Sequence, residues 1–127
     1  IDGVSLDVYP GELMAVVGES GCGKSTLAYS IIRQVPYPGK IKSGAIIFDG
    51  RNVLDLDRNA LRQFRWKEVA IVFQAAQNTL NPVMRIGAQM IDTVLDHEKQ
   101  SQERIIQRAS ELLEMVRLNP DRVLRSY

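Results

Sequence analysis

Residues 18–25 of the chain read Gly18-Glu19-Ser20-Gly21-Cys22-Gly23-Lys24-Ser25, which matches the phosphate-loop pattern G-x-x-x-x-G-K-[ST]. The continuous apolar run from Leu13 to Val17 leads into this stretch, and helical spacing of apolar residues follows from Ser25 to Val35. A strand, a glycine-rich loop and a helix in this order form the context in which the pattern binds phosphate. A glycine-rich connection that contains Lys and Ser by chance is the alternative, and this context favours the phosphate loop.

The residue types in this stretch suit the triphosphate of a nucleotide, and MgATP is the expected ligand. Gly21 and Gly23 permit the tight turns that aim successive amides at one anion, and the following helix adds its positive N-terminal end. Lys24 supplies an ammonium near the β- and γ-phosphates, while the Ser25 hydroxyl is a hard oxygen ligand for Mg²⁺. The predicted nucleotide-binding residues are Gly18, Glu19, Ser20, Gly21, Cys22, Gly23, Lys24, Ser25 and Thr26.

Composition restricts the class of protein. The chain has 127 residues, 45% of them hydrophobic and 24% charged, which is typical of one modest folded domain. The net charge is +1, and acidic residues are interspersed with the basic residues near position 60, so no nucleic-acid partner is predicted. The single cysteine, Cys22, excludes an internal disulfide. Its position in the loop suggests either a reactive thiol or simply a small side chain that fits a tight turn.

Apolar patterning predicts an α/β chain in which strands come first and helices follow. Asp49-Gly50 is a tight-turn signal, Asp57 is expected to cap a helix that ends near Arg65, and Asn119-Pro120 opens a last helix. Gln74 to Val83 has no period and is predicted to be a loop. The predicted strands are Val4–Val8, Leu13–Val17, Ala45–Phe48 and Val69–Phe73, and apolar stripes at Ile86–Leu95 and Ile105–Val116 predict two further helices.

Five segments together resemble the ATP-binding cassette (ABC) ATPases. Three of them match the family in general: Gly18–Thr26, the Ser43–Gly50 hairpin, and Val72-Phe73-Gln74. Two more are similar to the ATP-binding subunits of dipeptide and oligopeptide importers: Leu80–Gly87 and Pro120–Tyr127. The resemblance covers essentially the whole chain.

The resemblance implies a P-loop NTPase fold of the ABC type, with a mixed sheet and an antiparallel β-subdomain followed by part of a helical subdomain. Residues 1–84 would hold the N-terminal half of the ATPase core, with the Walker A loop and the Q-loop. Residues 85–127 would form a partial helical subdomain that ends before the signature motif. The residue that stacks on adenine would lie upstream of residue 1.

By the same resemblance, Gln74 is the Q-loop glutamine, which positions Mg²⁺ and the attacking water. Its neutral amide suits both tasks. Ser25 and Gln74 are therefore the expected metal-site residues, and ATP and Mg²⁺ are the expected cofactors. The alternative is that Gln74 merely ends a strand at the surface. The importers often have an acidic residue and a proline after this glutamine, whereas Ala75-Ala76-Gln77 follows here.

Several motifs of the family are not found in this sequence: the Leu-Ser-Gly-Gly signature, an apolar strand ending in Asp-Glu, and the switch histidine. His97, beside Asp96 and Glu98, is interpreted as a solvated surface residue. The chain is therefore expected to be the N-terminal half of a nucleotide-binding domain. On its own it is predicted to bind nucleotide weakly or not at all, to hydrolyse it negligibly, and to self-associate or be marginally stable.

The resemblance implies an ATPase subunit that couples ATP binding and hydrolysis to the import of peptides or similar solutes. Its partners would be transmembrane permease subunits and a second ATP-binding subunit, identical or different, at the cytoplasmic face of the cell membrane as a peripheral protein. A soluble, non-transport ABC ATPase is an alternative, although no sustained heptads of the DNA-repair type occur. Another P-loop NTPase, such as a GTPase or a small-molecule kinase, is a further alternative, although the guanine-reading Asn-Lys-x-Asp stretch is not found.

Overall fold

The computed structural model describes residues 1–74 and 79–127. The chain divides into two compact units, Ile1–Val69 and Ala70–Tyr127. The division at residues 84 and 85 expected from the sequence is based on motifs rather than on compactness, and it stays a prediction.

Among the described residues, the first unit contains two α-helices, a 3-10 helix and a small hairpin, and the second unit contains three α-helices. In chain order the elements of the first unit are α1 (Lys24–Ile31), β1 (Ile47–Phe48), β2 (Arg51–Asn52), a 3-10 helix (Val53–Asp55) and α2 (Arg58–Lys67). Those of the second unit are α3 (Ile86–Leu95), α4 (Gln102–Met115) and α5 (Pro120–Arg125). None of the helices in the described part of the chain is both long and apolar enough to cross a membrane.

The hairpin forms where the Asp-Gly signal predicted a turn. Asp49 and Gly50 both have positive φ angles, 47° and 72°, as the two-residue turn that matches strand twist requires. β1 and β2 pair antiparallel, with Phe48 opposite Arg51. The expected strand Ala45–Phe48 is thus confirmed in its last two residues.

Helix α1 is shorter than predicted. Apolar spacing indicated a helix to Val35, but α1 ends at Ile31 because Arg33 adopts a left-handed φ of 53°. The amide of Gln34 donates back to the carbonyl of Tyr29 at 2.8 Å, and that of Arg33 donates to Ser30 at 3.0 Å. These paired bonds satisfy the last carbonyls of the helix and stop it.

Helix α2 packs on the hairpin to form the core of the first unit. The predicted cap is confirmed, since the Asp57 side chain accepts from the Ala60 amide at 2.8 Å. Phe64, on the inner face of α2, is buried with Val53 and Ile32. Its ring meets Phe48 edge to face with 5.3 Å between centroids, a favoured aromatic geometry.

In the second unit, α4 supplies the buried face and packs against α3 and α5. Ile105, Ala109 and Leu113 are its buried residues, which confirms the predicted stripe in its central positions. Asn119 caps α5 as expected, accepting from the Arg122 amide at 3.1 Å. Gly87 lies against the backbone of Leu124, where a Cβ would come within 2.9 Å of the carbonyl oxygen.

Three of the predicted strands are wrong. Residues 4–8, 13–17 and 69–73 are not assigned to strands, so the described residues hold a two-stranded antiparallel sheet rather than the expected mixed sheet. Leu13 is 98% exposed and Val17 is 91% exposed. A strand is defined by backbone bonds to a neighbouring strand, and an apolar run does not itself supply that neighbour.

Candidate functional site

The loop that leads into α1 has the backbone that the glycine pattern requires. Gly21 and Gly23 have φ angles of 83° and 102°, a region that residues with a Cβ enter at a cost. Gly18 is needed for space instead, because a Cβ there would lie 2.8 Å from the Cys22 sulfur. Two kinds of constraint, conformation and close approach, therefore explain the three glycines.

The N-terminus of α1 lacks a side-chain cap. Gly23 occupies the cap position, and it has no side chain to offer. By contrast, Asp57, Ser101 and Asn119 cap α2, α4 and α5 through their side chains.

Helix α3 also begins without a side-chain cap, but its Ile86 amide donates to the carbonyl of Ser126 at 2.9 Å. In α1 the first amide with an acceptor among the described residues is that of Leu27, which donates to Gly23 at 2.9 Å. The amides of Lys24, Ser25 and Thr26 thus lie at the positive end of the helix, and they have no hydrogen-bond acceptor among the described residues. Such an end favours an anion.

The Lys24 side chain folds back over the loop. Its ammonium donates to the carbonyl oxygens of Gly18 at 2.8 Å and of Glu19 at 2.6 Å. It also lies 3.5 Å from the sulfur of Cys22. The charged group is therefore held over the loop, within reach of an anion bound by the loop amides.

Ser25 and Thr26 stand at the start of α1 and are both exposed. Within residues 1–74 and 79–127, no group of three or more His, Cys, Asp or Glu residues could hold a metal ion. A cation at Ser25 would therefore need oxygen ligands other than such a cluster, and phosphate oxygens and water can supply them. This donor set fits Mg²⁺, which keeps several waters and is bound together with substrate phosphates.

Comparison with known proteins places this loop in a family. The model of the ABC transporter family matches residues 1–127, which is the whole chain. The chain belongs to the ABC transporter family. Membership implies the P-loop NTPase fold, of which this loop and α1 are a part.

Several of its relatives within the ABC transporter family carry names that refer to peptide transport. The chain is 45% identical, over 99% of its length, to the dipeptide transport ATP-binding protein DppD of Caldanaerobacter subterraneus subsp. tengcongensis, and it covers 39% of that protein. It is 39% identical over its full length to a probable peptide ABC transporter ATP-binding protein of Sinorhizobium fredii, covering 38% of it. It is 40% identical over 91% of its length to the oligopeptide transport ATP-binding protein OppD of Bacillus subtilis, covering 33%. The chain thus spans about two fifths or less of these relatives.

Gln74, the Q-loop residue expected in an ABC protein, is exposed and lies in a turn of the second unit. The loop of residues 18–26 belongs to the first unit, so the joint metal site of Ser25 and Gln74 stays a prediction. The departure from the importer pattern at Ala75-Ala76-Gln77 falls outside the described residues.

The interpretation of His97 as a solvated residue is wrong. It is half-buried, and its Nδ1 atom is inaccessible to solvent. The charged neighbours of His97 in the sequence do not indicate how the chain packs after the end of α3.

Contacts at both ends of α1 were not predicted. Ile1 lies against Gly23, so that a Cβ on the glycine would come within 2.9 Å of its side chain. Arg33 and Arg65 bind carbonyl oxygens around the far end of α1. These partners are more than 20 positions apart, and no local pattern relates them.

Proposed function

We propose that this chain forms the phosphate-binding part of an ATP-binding subunit that couples ATP binding and hydrolysis to the import of peptides or similar solutes. One observation carries the proposal: the uncapped amides at the start of α1 lie beside an ammonium that is held over the same loop. Together they form a cradle for a triphosphate. The names of these relatives support ATP as the nucleotide and peptides as the solute class.

Each residue of the cradle has a separate task. The amides from Gly18 to Thr26 would bind phosphate oxygens, and the Lys24 ammonium, held here by the carbonyls of Gly18 and Glu19, would bind the β- and γ-phosphates. Ser25 would offer its hydroxyl oxygen to Mg²⁺, which supplies charge neutralisation on the phosphates when bound. Gln74 is proposed to take part as the Q-loop glutamine that positions the metal and the attacking water.

The chain is proposed to be the N-terminal half of a nucleotide-binding domain, since it spans only part of its relatives. In the parent protein a mixed sheet would include residues 13–17, and residues 85–127 would belong to the helical subdomain. A second ATP-binding subunit would complete the site, and permease subunits would hold the pair peripherally at the cytoplasmic face of the membrane. Co-purification of the parent protein with a membrane permease tests this assembly, and a soluble parent without one would favour a non-transport ABC ATPase.

Labelling of Cys22 tests nucleotide binding, because this single cysteine is exposed and lies inside the cradle. Millimolar MgATP is expected to slow its reaction with a maleimide. In Lys24→Ala the ratio of rates with and without MgATP should approach one, while Lys42→Ala, an exposed lysine outside the loop, should retain protection. We propose weak rather than absent binding by this chain, so equal rates with and without MgATP in the unaltered chain would refute the proposed site.

A further inference from the structure

The far end of α1 is held by an arginine from α2. The Arg65 guanidinium donates from Nε to the carbonyl of Ile32 at 2.8 Å and from Nη2 to that of Arg33 at 2.7 Å. These carbonyls follow directly on α1, where the helix presents its negative end. The planar fork of Arg65 therefore fixes the C-terminal end of α1 to α2 in both position and direction.

A second arginine extends this link to the 3-10 helix. Arg33 donates from Nη1 to the carbonyl oxygens of Val53 at 3.2 Å and Leu56 at 2.8 Å. Val53 is the first residue of the 3-10 helix of residues 53–55 and Leu56 follows this helix, so both partners lie on the segment between the hairpin and α2. The two arginines thus tie the end of α1 to α2 and to the segment between the hairpin and α2.

Holding the end of α1 with two arginines costs free energy that apolar packing would not cost. Both guanidinium groups are partly buried, and neither forms an ion pair with a carboxylate of the described residues. The pKa of Arg65 is lowered, first because burial disfavours its charge and then because the positive Arg33 is close. Arg33 also keeps a left-handed φ of 53°, which a glycine would adopt without strain.

Arg117 provides an internal comparison. Arg117 holds the same position after α4 as Arg33 does after α1, and its φ is 61°. The amide of Arg117 donates to the carbonyl of Glu114, and that of Leu118 donates to the carbonyl of Leu113, which is the hydrogen-bond pattern seen at the end of α1. Among the described residues, however, its guanidinium has no hydrogen-bond or ion-pair partner, and the residue is exposed. The carbonyl contacts of Arg33 are therefore a property of α1's setting and not of this type of helix end.

We propose that Arg33 and Arg65 are positioning residues for the phosphate loop, which act by fixing the end of α1 opposite to that loop. A helix of eight residues is about 12 Å long, so a tilt at one end moves the amides at the other. Binding sites lose affinity steeply when their donors are displaced by about 1 Å. The inference rests on the proposed function for its consequence, namely that correct placement of α1 strengthens MgATP binding.

Two matched pairs of variants test the inference. Arg65→Ala is compared with Arg62→Ala, an exposed arginine one turn earlier on the same helix. Arg33→Gly is compared with Arg117→Gly, so that both relieve the left-handed strain but only the first removes guanidinium contacts. Amide hydrogen exchange of residues 24–34 reports on α1, and the MgATP concentration that half-protects Cys22 from maleimide reports on the loop.

In Arg65→Ala and Arg33→Gly we expect amides of residues 24–34 to exchange roughly tenfold faster and the half-protecting MgATP concentration to rise roughly tenfold. Both controls should match the unaltered chain in both measurements. Arg65→Lys, which keeps the charge but lacks the fork, should fall between Arg65→Ala and the unaltered chain. This graded response of MgATP protection is one that a merely structural role would not produce.

The failures of the two proposals can be told apart. If MgATP does not protect Cys22 in the unaltered chain, the proposed function fails, and α1 exchange alone then decides whether the arginines fix the helix. Unchanged exchange in Arg65→Ala and Arg33→Gly would overturn the inference. Faster α1 exchange with an unchanged half-protecting concentration would also overturn it, because the arginines would then stabilise α1 without positioning the loop.

Discussion

The ammonium nitrogen of Lys24 lies 2.8 Å from the carbonyl oxygen of Gly18. The two residues stand at the beginning and near the end of the glycine-rich stretch, so this bond closes the loop on itself. It places the positive charge over the loop while the first amides of α1 remain available. The loop therefore has its charge and its donors on one small segment, and changes within that segment should affect nucleotide binding directly.

Close packing between Gly18 and Cys22 leads to the first prediction. Gly18→Ala should weaken MgATP binding about fivefold, or ~1 kcal/mol, because the new Cβ would lie 2.8 Å from the Cys22 sulfur and displace it. Cys22→Ala added to Gly18→Ala should recover most of the loss, since the sulfur is the obstacle. Titration of amide chemical shifts with MgATP measures both variants and the unaltered chain. Equal losses in the single and double variants would contradict the steric explanation.

The second prediction concerns the packing of α3 on α5. Gly to Ala in an open helix is stabilising by about 1 kcal/mol, but Gly87→Ala should destabilise the chain by about 1–3 kcal/mol. The reason is that its Cβ would meet the Leu124 carbonyl at 2.9 Å, and backbone cannot rotate away as a side chain can. Denaturant unfolding gives the free energy. An increase in stability would show that α5 does not lie this close to α3.

The third prediction follows from the exposed apolar residues of segment 13–17. Val17 is 91% exposed, and an extended apolar segment without a neighbour is a template for pairing with another chain. The chain should self-associate, and Val17→Lys should shift it toward monomer. Tyr37→Lys is the matched control, because it removes an apolar residue that is 94% exposed in a loop, and it should leave the self-association unchanged. Sedimentation velocity measures the association, and a monomeric unaltered chain at high concentration would contradict the prediction.

The fourth prediction is a pH dependence from α4. The pKa of Glu103 is lowered, first by a hydrogen bond from its own backbone amide and then by one involving Ser101. A lowered folded pKa means that this contribution to stability is present above the ordinary carboxyl pKa and is lost as the pH falls through the folded value. Glu103→Gln should therefore reduce the acid dependence of thermal unfolding. An acid dependence that is unchanged in Glu103→Gln would contradict the assignment.

Local signals in the sequence were enough for some elements. The Asp49-Gly50 turn, the Asp57 and Asn119 caps and the buried stripe of α4 each depend on residues within one or two turns of each other. The glycine pattern likewise predicted the left-handed angles at Gly21 and Gly23. Such features depend mainly on local conformational preference and hydrogen bonding.

Features that depend on distant partners were not predicted. The predicted strand at residues 13–17 would need a neighbouring strand, which an apolar run does not specify. Helix α1 ends early because Arg33 takes an angle that is usually reserved for glycine. Arg65 contacts the end of α1 across a separation of 33 positions to Ile32 and of 32 positions to Arg33. The burial of His97 likewise depends on packing that its charged neighbours in sequence do not reveal.

The central claim is that the backbone amides around the start of α1 bind the phosphates of MgATP. Addition of millimolar MgATP to isotopically labelled chain, followed by amide chemical shifts, tests it most directly, since weak binding still moves resonances in fast exchange. The largest shift changes are expected at residues 18–26, and Lys24→Ala should abolish them. Changes of equal size throughout the chain, or none at residues 18–26, would contradict the account.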